Sequence, residues 1–121
     1  MIQGSVVELQ ARVDVRFRLP ARPDFSIECV VDTGFEGALT LPPAAIAALG
    51  LPFFQEIDAN LANGADVKTE VYIATIVWDG AEIDTAVLAM GHRPLLGTAL
   101  LKGRRFCADF IEGGEAQIET C

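Results

Sequence analysis

The chain has 121 residues, of which 51% are hydrophobic and 21% charged, and its net charge is −8. That length suits one domain able to bury a core, and the composition is globular rather than disordered. The acidic balance argues against a phosphate-binding basic face and against attraction to an anionic membrane, so neither nucleic acid nor membrane is expected as a partner.

Met1 to Ser5 lacks a basic stretch leading into an apolar one, so no signal peptide is expected. The longest nearly apolar run, Leu41 to Phe54, is interrupted by three prolines and a glycine and is too short to span a bilayer. Three cysteines, Cys29, Cys107 and Cys121, form no close pair, which fits a reducing cytoplasm. Cys29 and Cys107 lie in strand-like runs and are expected as small core hydrophobes. A single histidine and no Cys/His grouping leave no recognisable transition-metal site, and no cofactor is implied.

Val13 to Leu19 alternates strictly, as a half-buried strand with a charged outer face does. Val6 to Gln10 belongs either to that strand or to the one before it. Ala21 to Asp24 is a turn. Phe25 to Val31 alternates less and is expected to be buried on both faces. Ala38 to Leu41 is a short strand, and Pro43 to Leu49 a helix with proline at its start and Gly50 just past its end. Ile46 and Leu49 give that helix an apolar edge. Phe53 to Leu61 and Val67 to Trp78 are strands joined by a turn containing Asn63-Gly64, the strongest short hairpin signal. Asp79-Gly80 makes a second hairpin, returning along Glu82 to Leu88 with Ile83, Thr85 and Val87 on one face. Leu95-Leu96 is a short strand followed by a short helix from Thr98. Phe106 to Ile111 and Glu115 to Glu119 are the last strands, separated by a Gly113-Gly114 turn. The fold class is mostly β, a small closed barrel-like domain with one or two short helices.

Within this pattern Val30-Val31-Asp32-Thr33-Gly34 stands apart. An apolar strand delivers an acid to its end, beside the core, where a carboxylate is costly unless it is hydrogen-bonded or shares a proton. Thr33 can fix the turn through its hydroxyl, and Gly34 permits a backbone shape or approach that a side chain would block. Downstream, Pro94-Leu95-Leu96-Gly97 is a second apolar strand ending in glycine. The two motifs, in this order, resemble the retropepsin-like aspartic proteases. The likeness is greatest to their bacterial and archaeal single-domain members, which read much like Val31 to Pro42, and it spans roughly Val6 to Ile118.

The resemblance implies a homodimeric aspartic endopeptidase acting on a peptide or protein. Peptide hydrolysis by aspartates takes two carboxylates sharing one proton around a water. The chain supplies one Asp-Thr-Gly, so a two-fold axis would bring together Asp32 of two subunits. By the same resemblance Asp32 is the acid/base, Thr33 supports the dyad by hydrogen bonding across the axis, and Gly34 offers its carbonyl to substrate. Leu95, Leu96 and Gly97 pack beneath the loop. Asn63 and Gly64 sit on a flap that closes over an extended substrate. Phe35 and Glu36 fall at substrate-binding positions. Phe35 replaces the alanine usual in viral members, and Thr98 replaces an arginine that braces their active-site loop, so the brace is absent or different. His92 is expected to be an exposed loop residue, Trp78 and Tyr72 core or strand-face residues, and the acids from Asp109 to Glu119 a solvated face. The alternatives are a peptide-binding or assembly module with little or no turnover, and an unrelated small β-barrel in which Asp32 only caps a turn.

Overall fold

A computed structural model describes residues 1–60 and 62–121. β1 (Ile2–Val7) and β2 (Gln10–Arg18) form a hairpin in which Val7 faces Gln10, and the turn residues Glu8 and Leu9 take φ of 53° and 61°. Two consecutive left-handed residues match the twist of the flanking strands. The Val6–Gln10 segment is thus divided between the two strands. β2 follows its sequence alternation: Ala11, Val13, Val15 and Phe17 are buried, while Asp14, Arg16 and Arg18 face solvent.

β3 (Phe25–Val31) pairs antiparallel with β2 and parallel with β8 (Leu95–Leu96). The expectation that it is buried on both faces is corrected. Cys29 is buried and Ile27 and Val31 pack on the core, but Ser26 and Glu28 face outward and Phe25 is 54% exposed. Ser26 and Glu28 leave the outer face of the strand open to solvent, so its apolar content alone misreads it as covered on both faces.

β4 (Leu39–Leu41) leads into α1 (Pro43–Leu49), which buries Ile46 and Leu49 and ends at Gly50, with φ 66°. The left-handed cap lets the Gly50 N–H reach Ala47 O, and the Arg22 guanidinium donates to the carbonyls of Ala48 and Leu49. A cation at those free carbonyls complements the helix end. β5 (Phe53–Asn60) and β6 (Asp66–Trp78) form one hairpin, and β6 with β7 (Ala81–Ala89) a second through Asp79-Gly80. Leu61, placed in the first of these strands by its sequence, lies outside the described residues. A 3-10 helix (Thr98–Leu100), β9 (Arg104–Ala108) and β10 (Glu115–Thr120) complete the chain.

The strands join in the order β5-β6-β7-β4-β8-β3-β2-β1-β10-β9, and an additional β6–β2 pairing closes a ring of six strands. Arg16 to Arg18 face Val77 to Thr75 in that closing ladder. The core fills the ring: Phe17, Leu39, Leu41, Ile76, Val87 and Leu96 are each fully buried. Such side chains contribute about 1.5–3 kcal/mol apiece. Trp78 is also buried, its indole N–H donating to Leu100 O at 3.2 Å.

Two further expectations are corrected. The strand placed at Phe106 to Ile111 begins at Arg104 and ends at Ala108, because Ile111 N–H turns back to Asp109 O and Gly114 N–H to Ile111 O. Phe110 and Ile111 are exposed on that turn. Gly114 is required there, since a Cβ would lie 2.0 Å from Asp109 O. Cys107 is exposed rather than part of the core, because β9 is an edge strand and Cys107 occupies its outward register. No helix among the described residues is long and apolar enough to cross a membrane.

Candidate active site

β3 and β8 run side by side in parallel, Val30 beside Leu95 and Val31 beside Leu96. The pairing continues one step past the strand, where Asp32 N–H donates to Leu96 O at 2.8 Å. The acid is therefore anchored by its backbone to the centre of the sheet while its side chain is half-buried. The chain then turns. Asp32 Oδ1 accepts the Gly34 N–H at 2.9 Å, and Asp32 O accepts the Phe35 N–H at 3.2 Å. Among the described residues the carboxylate has this one side-chain hydrogen bond and no ion pair. Its second oxygen has no hydrogen-bond partner among the described residues.

Two glycines fix how closely the loop packs. A Cβ on Gly97 would lie 2.2 Å from Gly37 O and 2.5 Å from Phe35 O. Three backbone bonds occupy that narrow gap: Gly97 N to Ala38 O at 2.8 Å, Thr98 N to Phe35 O at 2.9 Å and Ala99 N to Gly37 O at 3.2 Å. The Thr98 hydroxyl also donates to Phe35 O, at 3.4 Å. Thr98 thus braces the loop with its backbone and its side chain. Leu96 is fully buried and Leu95 half-buried, each paired with β3 just before the loop.

The Phe35 ring lies over Gly37 and Gly97, where added Cβ atoms would meet it at 2.5 Å in each case. It packs on the loop's own glycines. Thr33, Gly34 and Glu36 are exposed. Asn63 and Gly64 are exposed at the tip of the β5–β6 hairpin, where Asn63 Oδ1 accepts the Ala65 N–H at 2.9 Å and Gly64 has φ 84°. The structure gathers Asp32 to Glu36 into one loop with Gly97 and Thr98, and among the described residues no hydrogen bond ties the hairpin tip to it.

Other polar groups sit apart from this loop. Tyr72 donates its hydroxyl to Glu70 at 2.6 Å, which holds the phenol proton above its ordinary range, and its ring meets Phe53 edge-on at 5.6 Å. Asp79 accepts from the Met1 amine at 2.7 Å and from Arg104 at 2.9 Å, and these bonds lower its pKa. Burial, with smaller effects from Asp14 and Glu28, pushes the Cys29 thiol up to about 12. His92 is exposed. Among the described residues no group of three or more His, Cys, Asp or Glu side chains could hold a metal. Two larger clefts, of about 570 and 530 Å³, flank α1 and are not lined by Asp32. Sequence reasoning missed a cluster of Gln10, Arg12 and Arg93 beside the loop, because no local motif links residues from β2 and from the segment before β8.

No protein-family model and no curated protein matches the chain.

Proposed function

We propose that the chain is an aspartic endopeptidase of the retropepsin-like type, that its ring of six strands is the closed β-barrel of that type, and that it works as a homodimer. The observation that carries this reading is the Asp32 loop. The carboxylate stands at the end of an inner strand and is oriented by the Gly34 N–H. Its backbone is tied to Leu96 O, and it has no cationic partner among the described residues. A carboxylate held in that manner can share a proton with a symmetry mate, the ionised member drawing a proton from water and the protonated one donating to the substrate carbonyl. In this reading the β5–β6 hairpin folds over an extended peptide, with Asn63 and Gly64 at its tip, and Phe35 stiffens the loop from within.

A second reading, a peptide-binding or assembly module with little turnover, is favoured by the outer edges of β5 and β9, which have no partner strand among the described residues and can each accept an added strand. Incubating wild type and Asp32→Asn with a diverse peptide mixture between about pH 4 and pH 7 separates the two, since an acid dyad must hold one shared proton. Products from wild type alone are expected, with both proteins folded and dimeric. Products in equal yield from the variant would end the Asp32 assignment. Silence from both dimers would favour the binding module.

A further inference from the structure

Gln10 and Arg12 on β2, and Glu28 and Val30 on β3, occupy the alternate positions that face away from the core, while Ala11, Val13 and Cys29 face into it. Arg12 stands opposite Val30 in the ladder, and Val30 N–H donates to Pro94 O at 3.0 Å, bringing Arg93 to the same place. There two guanidinium groups share one neutral acceptor. Gln10 Oε1 takes a hydrogen bond from Arg12 Nη2 at 3.0 Å and another from Arg93 Nη1 at 2.6 Å. Arg12 is also paired with Glu28 at 3.2 Å and more distantly with Glu8 at 4.0 Å. Its Nε is buried and has no partner, and Arg93 forms no ion pair among the described residues.

These groups border an open pocket of about 230 Å³ lined by Arg12, Glu28, Val30, Arg93 and Pro94. In a chain of net charge −8 two arginines meet here; Glu28 and, more distantly, Glu8 pair with Arg12, whereas Arg93 has no ion pair among the described residues. Guanidinium groups left with spare donors suit a carboxylate, whose two charged oxygens accept two parallel N–H bonds, where an amide presents one neutral oxygen. The pocket is large enough for one acidic side chain. Asp32 follows Val30 by two residues, a distance of about 7 Å along an extended chain.

We propose that this pocket binds the side-chain carboxylate of a glutamate or aspartate in an extended peptide, close to the bond presented to Asp32. The position relative to a cleaved bond rests on the peptidase reading, whereas the carboxylate preference does not. Glu28 competes with the incoming anion for Arg12 and tempers its affinity.

The test uses the 121-residue chain carrying Asp32→Asn, so that turnover cannot remove the ligand. Titration calorimetry compares acetyl-Ala-Ala-Glu-Ala-Ala-amide with its glutamine counterpart. The glutamate peptide is expected to bind about tenfold more tightly at low salt, the effect of one good charge-assisted hydrogen bond, and to lose that advantage at high salt. Adding Arg93→Gln should abolish the preference, and adding Glu28→Gln should enlarge it. Both added changes lie at exposed positions, so loss of fold is not expected. Equal affinity for the two peptides, binding of neither, or a preference that survives Arg93→Gln would overturn the proposal. An intact preference in a protein whose wild type cleaves nothing would overturn the peptidase reading and leave the carboxylate pocket standing.

Discussion

Gly97→Ala tests whether the close backbone contact beneath the Asp32 loop sets its shape. The added Cβ would lie 2.2 Å from Gly37 O, more than 1 Å inside ordinary van der Waals contact, and 2.5 Å from Phe35 O. Both neighbours are backbone atoms, so no rotamer change relieves the clash. The two segments must separate, which strains the bonds from Gly97 N to Ala38 O, from Thr98 N to Phe35 O and from Ala99 N to Gly37 O. Overpacking of this kind costs about 1–3 kcal/mol, and the partial weakening of these hydrogen bonds together about 1 kcal/mol more. Urea denaturation should therefore show Gly97→Ala destabilised by about 2–4 kcal/mol with an unchanged m-value, and cleavage, if the proposed function holds, should fall with it. Gly37 supplies the contrast, because the three atoms nearest its added Cβ all belong to the Phe35 ring, the first at 2.5 Å. Phe35→Ala should rescue Gly37→Ala but leave Gly97→Ala unrescued, a difference that a double-mutant cycle reads directly. A Gly97→Ala protein within about 0.5 kcal/mol of wild type, the range of an ordinary surface change, would refute the reasoning.

Cysteine reactivity should divide by burial: Cys107 and Cys121 are exposed, and Cys29 is buried with its thiol pushed up to about 12. A thiol-reactive dye should label two cysteines in native protein and all three in denaturant, and native labelling of Cys29 would contradict the buried position. The same thiol contributes stability at neutral pH that is fully present below its unfolded pKa and is lost as pH rises toward the folded value, so Cys29→Ala should flatten the alkaline decline in stability. Asp79 has the opposite sign. Its folded pKa is lowered by the Met1 amine and Arg104, so its contribution is present above the unfolded carboxylate value and lost as pH falls through the folded one. Asp79→Asn should therefore be destabilised at neutral pH and show a shallower acid decline in thermal unfolding; an unchanged acid limb would argue against the pairing.

Features governed by adjacent residues are legible in the sequence. Asn63-Gly64 and Asp79-Gly80 each mark a hairpin, and Gly64, Asp79 and Gly80 do take positive φ, as those tight turns demand. Proline and glycine bracket α1 at the positions read from them. Alternation along β2 tells its two faces apart, and the apolar run before Asp32 puts that acid at a strand end. Each of these follows from backbone sterics or a two-residue period, which act over a few positions of chain.

Other features depend on which distant segments meet. Phe25 to Val31 reads as a doubly buried strand because its composition is apolar, yet Ser26 and Glu28 on its outer face are exposed. Cys107 reads as core for the same reason and lies instead on an edge. The Phe35 ring turns onto Gly37 and Gly97, and Thr98 braces the loop with two bonds to Phe35 O. Arg12 and Arg93, 81 positions apart, converge on Gln10 only because β3 lies between β2 and β8. The chain by itself determined where strands start, turn and stop and which residue is carried to the end of β3. Tertiary structure alone decided which faces are covered and what surrounds Asp32, because burial and charge pairing depend on the approach of residues far apart in sequence, while turn and strand signals depend on neighbours along the backbone.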